Sequence, residues 1–332
     1  MDMDAVLPAA SAATKTRTSL LALAICDALG GPAEFQRRGT FPRITTLQRN
    51  ETFHLPPGTW TDDTSMALCL ADSLCSLPGS FSEEDQARRY IRWCQDGYLS
   101  ATGHCFDIGS ATRVALKIWR GGGGLPQVRH SLDEERCCGN GSLMRVLPVA
   151  LALWRMEDGG EAGEVGELAA RSSVVTHPHK LCQEACRVYV SLVTRVLRAA
   201  DRGEALTKGD LLEMLKRRGW ENTELREVFA TGEFVRKDEA QIKSSGYVVH
   251  TLEAALWGFF GTASFEEGAI TIVNLGNDAD TVAAVYGGLA GAWYATEEGF
   301  WQGRTGEWHA GLVRREVVEE MAERLVRLQW VE

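Results

Sequence analysis

From Leu181 onward the apolar residues Leu181, Ala185, Val188, Leu192 and Val196 return every three or four positions, while Arg187, Arg195 and Arg198 fall on other faces. That spacing is the signature of an amphipathic helix. Val317, Met321, Leu325 and Leu328 repeat it near the end of the chain. The same reading predicts helices over 18–29, 64–76, 83–95, 107–119, 143–155, 161–171, 207–217, 247–260 and 281–295. Only Ile270–Val273 reads as a short strand, and no alternating strand series or βαβ rhythm accompanies it. The expected class is all-α, a single orthogonal helical domain. Gly121–Gly124 reads as a flexible loop, Glu157–Gly166 as an acidic, glycine-rich connection, and 218–246 as a polar insertion between helices. Residues 1–16 hold two Asp and no Arg, unlike a signal or transit peptide, and read as a frayed tail before a domain over 17–332.

Composition narrows the class of partner. The 332 residues carry 35 Lys plus Arg against 45 Asp plus Glu, a net charge of −10. Such a chain lacks the clustered positive face that duplex nucleic acid requires. Charge or glycine interrupts every apolar run well short of the roughly 18 residues of a membrane span. The nine cysteines are scattered, without C-x-x-C pairs or a spacing with histidine that fits zinc. Free thiols in a reducing cytosolic or nuclear compartment are expected.

Two short segments concentrate oxygen side chains where helices should begin: Gly58-Thr-Trp-Thr-Asp-Asp-Thr64 and Asn274-Leu-Gly-Asn-Asp-Ala-Asp-Thr281. Any one of these residues could simply cap its helix or complement the helix dipole. Capping uses one side chain per helix start, however, and here Asp62 is beside Asp63 while Asp278 lies one residue from Asp280. If the segments converge, four carboxylates crowd one place, at a cost of several kcal/mol unless cations neutralise them. Two divalent cations match the charge, and Thr61 and Thr281 add neutral oxygens. A set without His or Cys selects a hard ion, Mg²⁺ or Mn²⁺.

Taken together, these segments resemble the ADP-ribosylglycohydrolase family, and the likeness runs from about residue 18 to 328. Asp27–Phe35 is similar to the family's opening helix and acidic loop, and Thr61-Asp-Asp-Thr64 to its first metal motif. Phe106-Asp-Ile-Gly109 with Thr112-Arg113, the glycine loop Gly139–Arg145, Thr176-His-Pro178 and Gly246-Tyr-Val248 follow in order. Asp278-Ala-Asp-Thr281 resembles the second metal motif.

The resemblance implies a Mg²⁺-dependent hydrolase that frees ADP-ribose from an ADP-ribosylated protein or small molecule, with two Mg²⁺ ions at the base of a cleft. It assigns Thr61, Asp62, Asp63, Asp278, Asp280 and Thr281 as metal ligands. Glu34, Asp63 and Asp107 would act near the scissile bond. Cys137, Cys138, Gly139, Asn140, Gly141, Ser142, His177, Gly246 and Tyr247 would contact the nucleotide. On the residues alone, blander readings stay open: Glu34 as a solvated loop acid, Asp107 as a cap, His177 as a turn residue, Gly139–Ser142 as a helix lead-in and Tyr247 as core. A nucleotide phosphoesterase on the same metals, or a silent ADP-ribose binder, are the competing functions.

Overall fold

The computed structural model describes residues 2–156 and 163–328, so part of the expected acidic connection, residues 157–162, lies outside the described residues. The described residues fold into fifteen α-helices: α1 (Ala12–Gly30), α2 (Asp62–Ser76), α3 (Glu83–Asp96), α4 (Ser110–Arg120), α5 (Leu125–Leu132), α6 (Leu147–Leu153), α7 (Glu164–Val174), α8 (Lys180–Arg202), α9 (Lys208–Arg217), α10 (Thr223–Phe229), α11 (Val248–Gly261), α12 (Phe265–Val273), α13 (Ala279–Tyr294), α14 (Gly303–Gly311) and α15 (Arg315–Arg327). Among the described residues there is no sheet, only three isolated bridges. The all-α expectation holds.

Helices α1 and α13 make the most extensive helix pair and run through the centre of a hydrophobic core to which nearly every other helix contributes. Both are buried almost all round, which is why neither shows a strong amphipathic stripe. Their backbones touch because small residues sit at the contact. A Cβ on Gly291 would lie 2.5 Å from Ala22 Cβ, and one on Gly30 would lie 2.5 Å from Asp280 Cα. Gly30 thus sets the distance between the end of α1 and the start of α13, where the site is built.

Three expectations are corrected. Ile270–Val273 is not a strand but the last turn of α12, capped by Ser264 and closed by Thr271 Oγ1 donating to Glu267 O at 2.8 Å. Burial of Ile270, Ile272 and Val273 against α13 outweighs their β-branched preference. The boundary at residue 16 falls inside α1, which starts at Ala12 behind the cap Ser11. Lys15, fully buried, donates to the carbonyls of Ala292, Trp293 and Ala295, satisfying the orphan end of α13. Segment 218–246 is no loose insertion. It contains α10, stacks Trp220, Phe229 and Phe234 toward Phe260 of α11, and is tied down by Glu184, which accepts from the N–H groups of Glu221 and Asn222.

Among the described residues no helix is long and apolar enough to cross a membrane. All nine cysteines are free thiols.

Candidate metal centre and cleft

Thr61 and Asp278 stand at the N-termini of α2 and α13, yet neither side chain caps its own helix. Capping therefore does not account for the oxygen-rich clusters. The residue that holds the start of α2 is Asp27, near the end of α1. Its carboxylate accepts from Thr61 N and Oγ1, both at 2.9 Å, and from Thr64 N and Oγ1, at 3.0 and 2.5 Å. A lone carboxylate in the buried run Ser19-Leu-Leu-Ala-Leu-Ala-Ile-Cys-Asp27 was the available signal for this role, and the sequence reading passed over it.

Across this junction the two segments meet. Thr61 Oγ1 lies 3.0 Å from Asp63 Oδ2 and 3.5 Å from Asp280 Oδ2, and Thr281 Oγ1 lies 3.4 Å from Asp63 Oδ2. Oxygens of Asp27, Asp63 and Asp280 fall within 4.8 Å of one another, as do oxygens of Glu34, Asp278 and Asp280. Asp280 belongs to both groups. A hydroxyl has one proton to give, so Thr61 Oγ1 can satisfy only one of the three carboxylates around it. Asp63 Oδ1, Asp280 Oδ1 and Glu34 Oε2 are buried with no hydrogen-bond partner. Unpaired buried carboxylate oxygens are expensive unless a proton or a cation meets them. The donor set is all oxygen and fits a hard divalent ion.

Electrostatics record the same crowding. Burial is the first cause in each case. It pushes Asp27 up to about 6, against the four bonds it accepts. Asp107 rises to about 7, from burial and then the Asp278 charge, partly offset by a hydrogen bond with Glu34. Asp62, Asp63 and Asp280 lie well above the ordinary carboxylate range, from burial followed by one another's charge and that of Asp107, Asp27 and Asp278. Glu34 is raised by burial and then by Asp280, Asp107, Asp278 and Asp62.

Above the cluster opens a cleft of about 400 Å³. Glu34, Asp62, Asp107, Asp278 and Thr281 form its acidic floor and one wall, and Cys137, Gly139, Asn140, Gly141, His177 and Gly246 the other. Glu34 is only 3% exposed, not a solvated loop acid. Asp107 does not cap α4, whose N-cap is Gly109. Three non-glycine residues at this rim, Phe35, Asp107 and Asn277, hold φ near +60°, backbone strain of the kind retained at functional sites. Phe35 is 65% exposed at the mouth and was not singled out from the sequence.

The nucleotide-contact expectations divide. Asn140 donates through Nδ2 to Asp278 Oδ2 at 2.5 Å and to Thr251 Oγ1 at 2.8 Å, and its N–H is bound to Gly246 O. It therefore buttresses Asp278 and has no backbone N–H to offer a phosphate. Cys138, Ser142 and Tyr247 do not line the cleft. Cys138 is buried, Ser142 accepts from Ser173 beneath the loop, and Tyr247 turns its hydroxyl to Glu224 at 2.7 Å. Close spacing in sequence placed them beside the loop, but only Cys137 and Gly139–Gly141 of that segment reach the cleft. His177 does line the cleft. Arg145 donates to Thr176 Oγ1, which shares a hydrogen bond of 2.7 Å with His177 Nδ1. Burial, and then Arg145, lower His177 to about 3, so its ring is neutral.

Removing the Asp27 anchor is expected to loosen the start of α2. Asp27→Ala strands four donors, two of them main-chain, and should lower the stability of the metal-loaded protein by about 3–5 kcal/mol. Urea unfolding measures it, and an unchanged midpoint would remove Asp27 from this role.

The fold is shared with known proteins. The ADP-ribosylglycohydrolase family model matches residues 8–332. The chain is 35% identical over 311 residues to the ADP-ribosylarginine hydrolase Tri1 of Pseudomonas putida (strain GB-1), covering 94% of this chain and 77% of that protein. It is 28% identical to the ADP-ribosyl-[dinitrogen reductase] glycohydrolase of Rhodospirillum rubrum, over 84% of this chain and 85% of that one. A solved ADP-ribosylglycohydrolase-related protein complex matches with a TM-score of 0.76 at 36% identity, over 96% of this chain and 99% of its own. With its carboxylates gathered on the same helical frame over nearly its whole length, the chain belongs to the ADP-ribosylglycohydrolase family.

Proposed function

We propose that this protein is a divalent-metal-dependent hydrolase that releases ADP-ribose from ADP-ribosylated arginine. The observation that carries the reading is the meeting of the two carboxylate segments, with Thr61 Oγ1 3.5 Å from Asp280 Oδ2 and buried carboxylate oxygens left unpaired around them. Arginine as the acceptor is supported by the similarity to two ADP-ribosylarginine hydrolases, those of Pseudomonas putida (strain GB-1) and, at 31% identity over 96% of this chain, Serratia proteamaculans (strain 568). An acidic cleft floor also suits a cationic leaving group.

Thr61, Asp62, Asp63, Asp278, Asp280 and Thr281 would hold two Mg²⁺ ions, or Mn²⁺, with Asp27 contacting the same centre. Bound there, the ions would supply positive charge to fix the ribose hydroxyls and lower the pKa of a water. The other cleft wall binds the nucleotide: His177 Nε2 lies beside Gly139 and Gly141, and Arg136 lies at its rim. Asp107 orients the ribose and, through its hydrogen bond, Glu34. The bond between C1″ and the guanidine nitrogen breaks as water oxygen bonds to C1″. The electron pair leaves with nitrogen, and the water's proton passes to Glu34 Oε2. The strongly basic guanidine takes up that proton from Glu34, which returns to its carboxylate form, and departs as a cation, while the oxocarbenium character at C1″ is stabilised by the surrounding carboxylates.

The decisive experiment incubates the metal-loaded protein with ADP-ribosylarginine, an ADP-ribosylserine peptide and a simple phosphate ester. Free ADP-ribose from the arginine linkage, abolished by chelation, is expected. Phosphate release instead would establish a phosphoesterase, and ADP-ribose binding without turnover of any substrate a silent binder. Glu34→Gln removes the proton acceptor but keeps size and burial. Its kcat should fall by about 10²–10³-fold with KM within about threefold; wild-type turnover would take Glu34 out of the mechanism.

A further inference from the structure

Beside the cleft, separated from it by a single thickness of chain, lies a depression of about 550 Å³ lined by Arg37, Arg38, Lys243, His250, Ser245 and Asn277. In a protein of net charge −10 this is a local reversal of sign. The Arg37 and Lys243 side chains are exposed and have no carboxylate partner among the described residues. Arg38 spends its guanidinium on the carbonyls of Leu275, Glu239 and Ile242, so its charge too is unneutralised by an ion pair. The acids that act on His250 are committed elsewhere, Glu253 to Lys237 and Glu224 to the Tyr247 hydroxyl.

Three of the segments that build this depression also build the cleft. Glu34 lines the cleft and Arg37 and Arg38 the depression; Gly246 lines the cleft and Ser245 the depression; Asp278 lines the cleft and Asn277 the depression. The wall between them is stiff. Phe35 N donates to Asn277 O at 2.6 Å and Asn277 N to Gln36 O at 2.7 Å. Asp278 N donates to Ser244 O at 2.9 Å, and Asn277 Nδ2 to Ser244 Oγ at 3.1 Å. The cleft takes the ADP-ribose, so the main chain of a protein acceptor must pass over the rim outside, within reach of these cations.

We infer that the Arg37–Arg38–Lys243 depression docks the acidic flank of the ADP-ribosylated protein, selecting arginines that lie beside Asp or Glu. This rests on the ADP-ribosylarginine reading. Rim charges of this kind act mainly on encounter and on salt dependence.

The test uses the full-length, metal-loaded protein with free ADP-ribosylarginine and two peptides carrying ADP-ribosylated arginine, one flanked by three Glu and one by three Lys. The Glu-flanked peptide should be cleaved with a kcat/KM about tenfold above the Lys-flanked one, through KM, and lose that advantage in high salt. The double variant Arg37→Glu, Lys243→Glu should erase the preference while cleaving free ADP-ribosylarginine within about twofold of wild type. Equal turnover of both peptides by wild type, or an equal loss on the free compound, overturns the inference and leaves the hydrolase reading intact. If no arginine linkage is cleaved at all, that reading fails, and docking is judged by fluorescence anisotropy of the labelled, unmodified Glu-flanked peptide: binding to wild type but not to the double variant supports it, and no difference overturns it. Tighter binding of a single-stranded oligonucleotide that displaces the peptide also overturns it, in favour of a nucleic-acid partner.

Discussion

Asp280→Asn should abolish turnover, by about 10³-fold or more, and at the same time make the metal-free protein more stable. The two effects have one cause. Asp280 shares both groups of converging carboxylates, is 1% exposed, and has Oδ1 unpaired. Without cations its charge is buried beside those of Asp278, Asp107 and Asp27, a net cost that a neutral amide removes. With cations the same charge is a ligand at the junction of the site. Wild type should gain about 2.7 kcal/mol of stability when Mg²⁺ is at a hundred times its dissociation constant, and the variant should gain little. Melting curves with and without Mg²⁺, alongside single-turnover kinetics, test both halves. A variant that is less stable than wild type without metal, or is stabilised by Mg²⁺ as wild type is, would show that Asp280 does not hold the ion.

Lowering the pH from 7 to 5 should stabilise the metal-free protein and leave the metal-loaded protein nearly unchanged. Asp27 and Asp107 titrate in the folded chain at about 6 and about 7, above the ordinary 3.8, and Asp62, Asp63 and Asp280 lie well above it. The folded state therefore binds these protons more readily than the unfolded state. The stabilisation is complete below the unfolded value and is lost as pH rises through the folded values. His177 works the other way: lowered to about 3, it must stay neutral in the fold and costs stability as pH falls below about 6.5. His250 and His309, also lowered by burial, act in the same direction as His177, but the raised carboxylates number seven with Glu34 and Asp278, so the carboxylates set the sign. A group titrating wholly above the window contributes up to about 2.7 kcal/mol over two pH units, enough to raise Tm by several degrees. Bound cations already neutralise the cluster, so the effect should vanish with Mg²⁺. A metal-free Tm that falls steadily from pH 7 to 5 would mean that the carboxylates are not held together in the absence of metal.

Helix positions were largely readable because the 3.6-residue period is local. The segments around 64–76, 83–95 and 181–196 appear as α2, α3 and part of α8. Ile270–Val273 misled for the opposite reason: a β-branched run states a preference that only packing against α13 overrules. The tail boundary failed because Lys15 looks like a surface residue until the end of α13 supplies three carbonyls for it.

The sequence by itself determined that oxygen-rich segments stand before two apolar helices, and that too many carboxylates are present there for capping alone. Only the tertiary structure decided that these segments meet, because their approach depends on α1 and α13 touching backbone to backbone at Gly30. It also decided that Asp27 anchors α2, that Asn140 serves Asp278 rather than a phosphate, and that Cys138, Ser142 and Tyr247 turn away from the cleft. Periodicity fixes which face of a helix is buried; which charges become neighbours depends on contacts between residues some two hundred positions apart, and no local pattern encodes them.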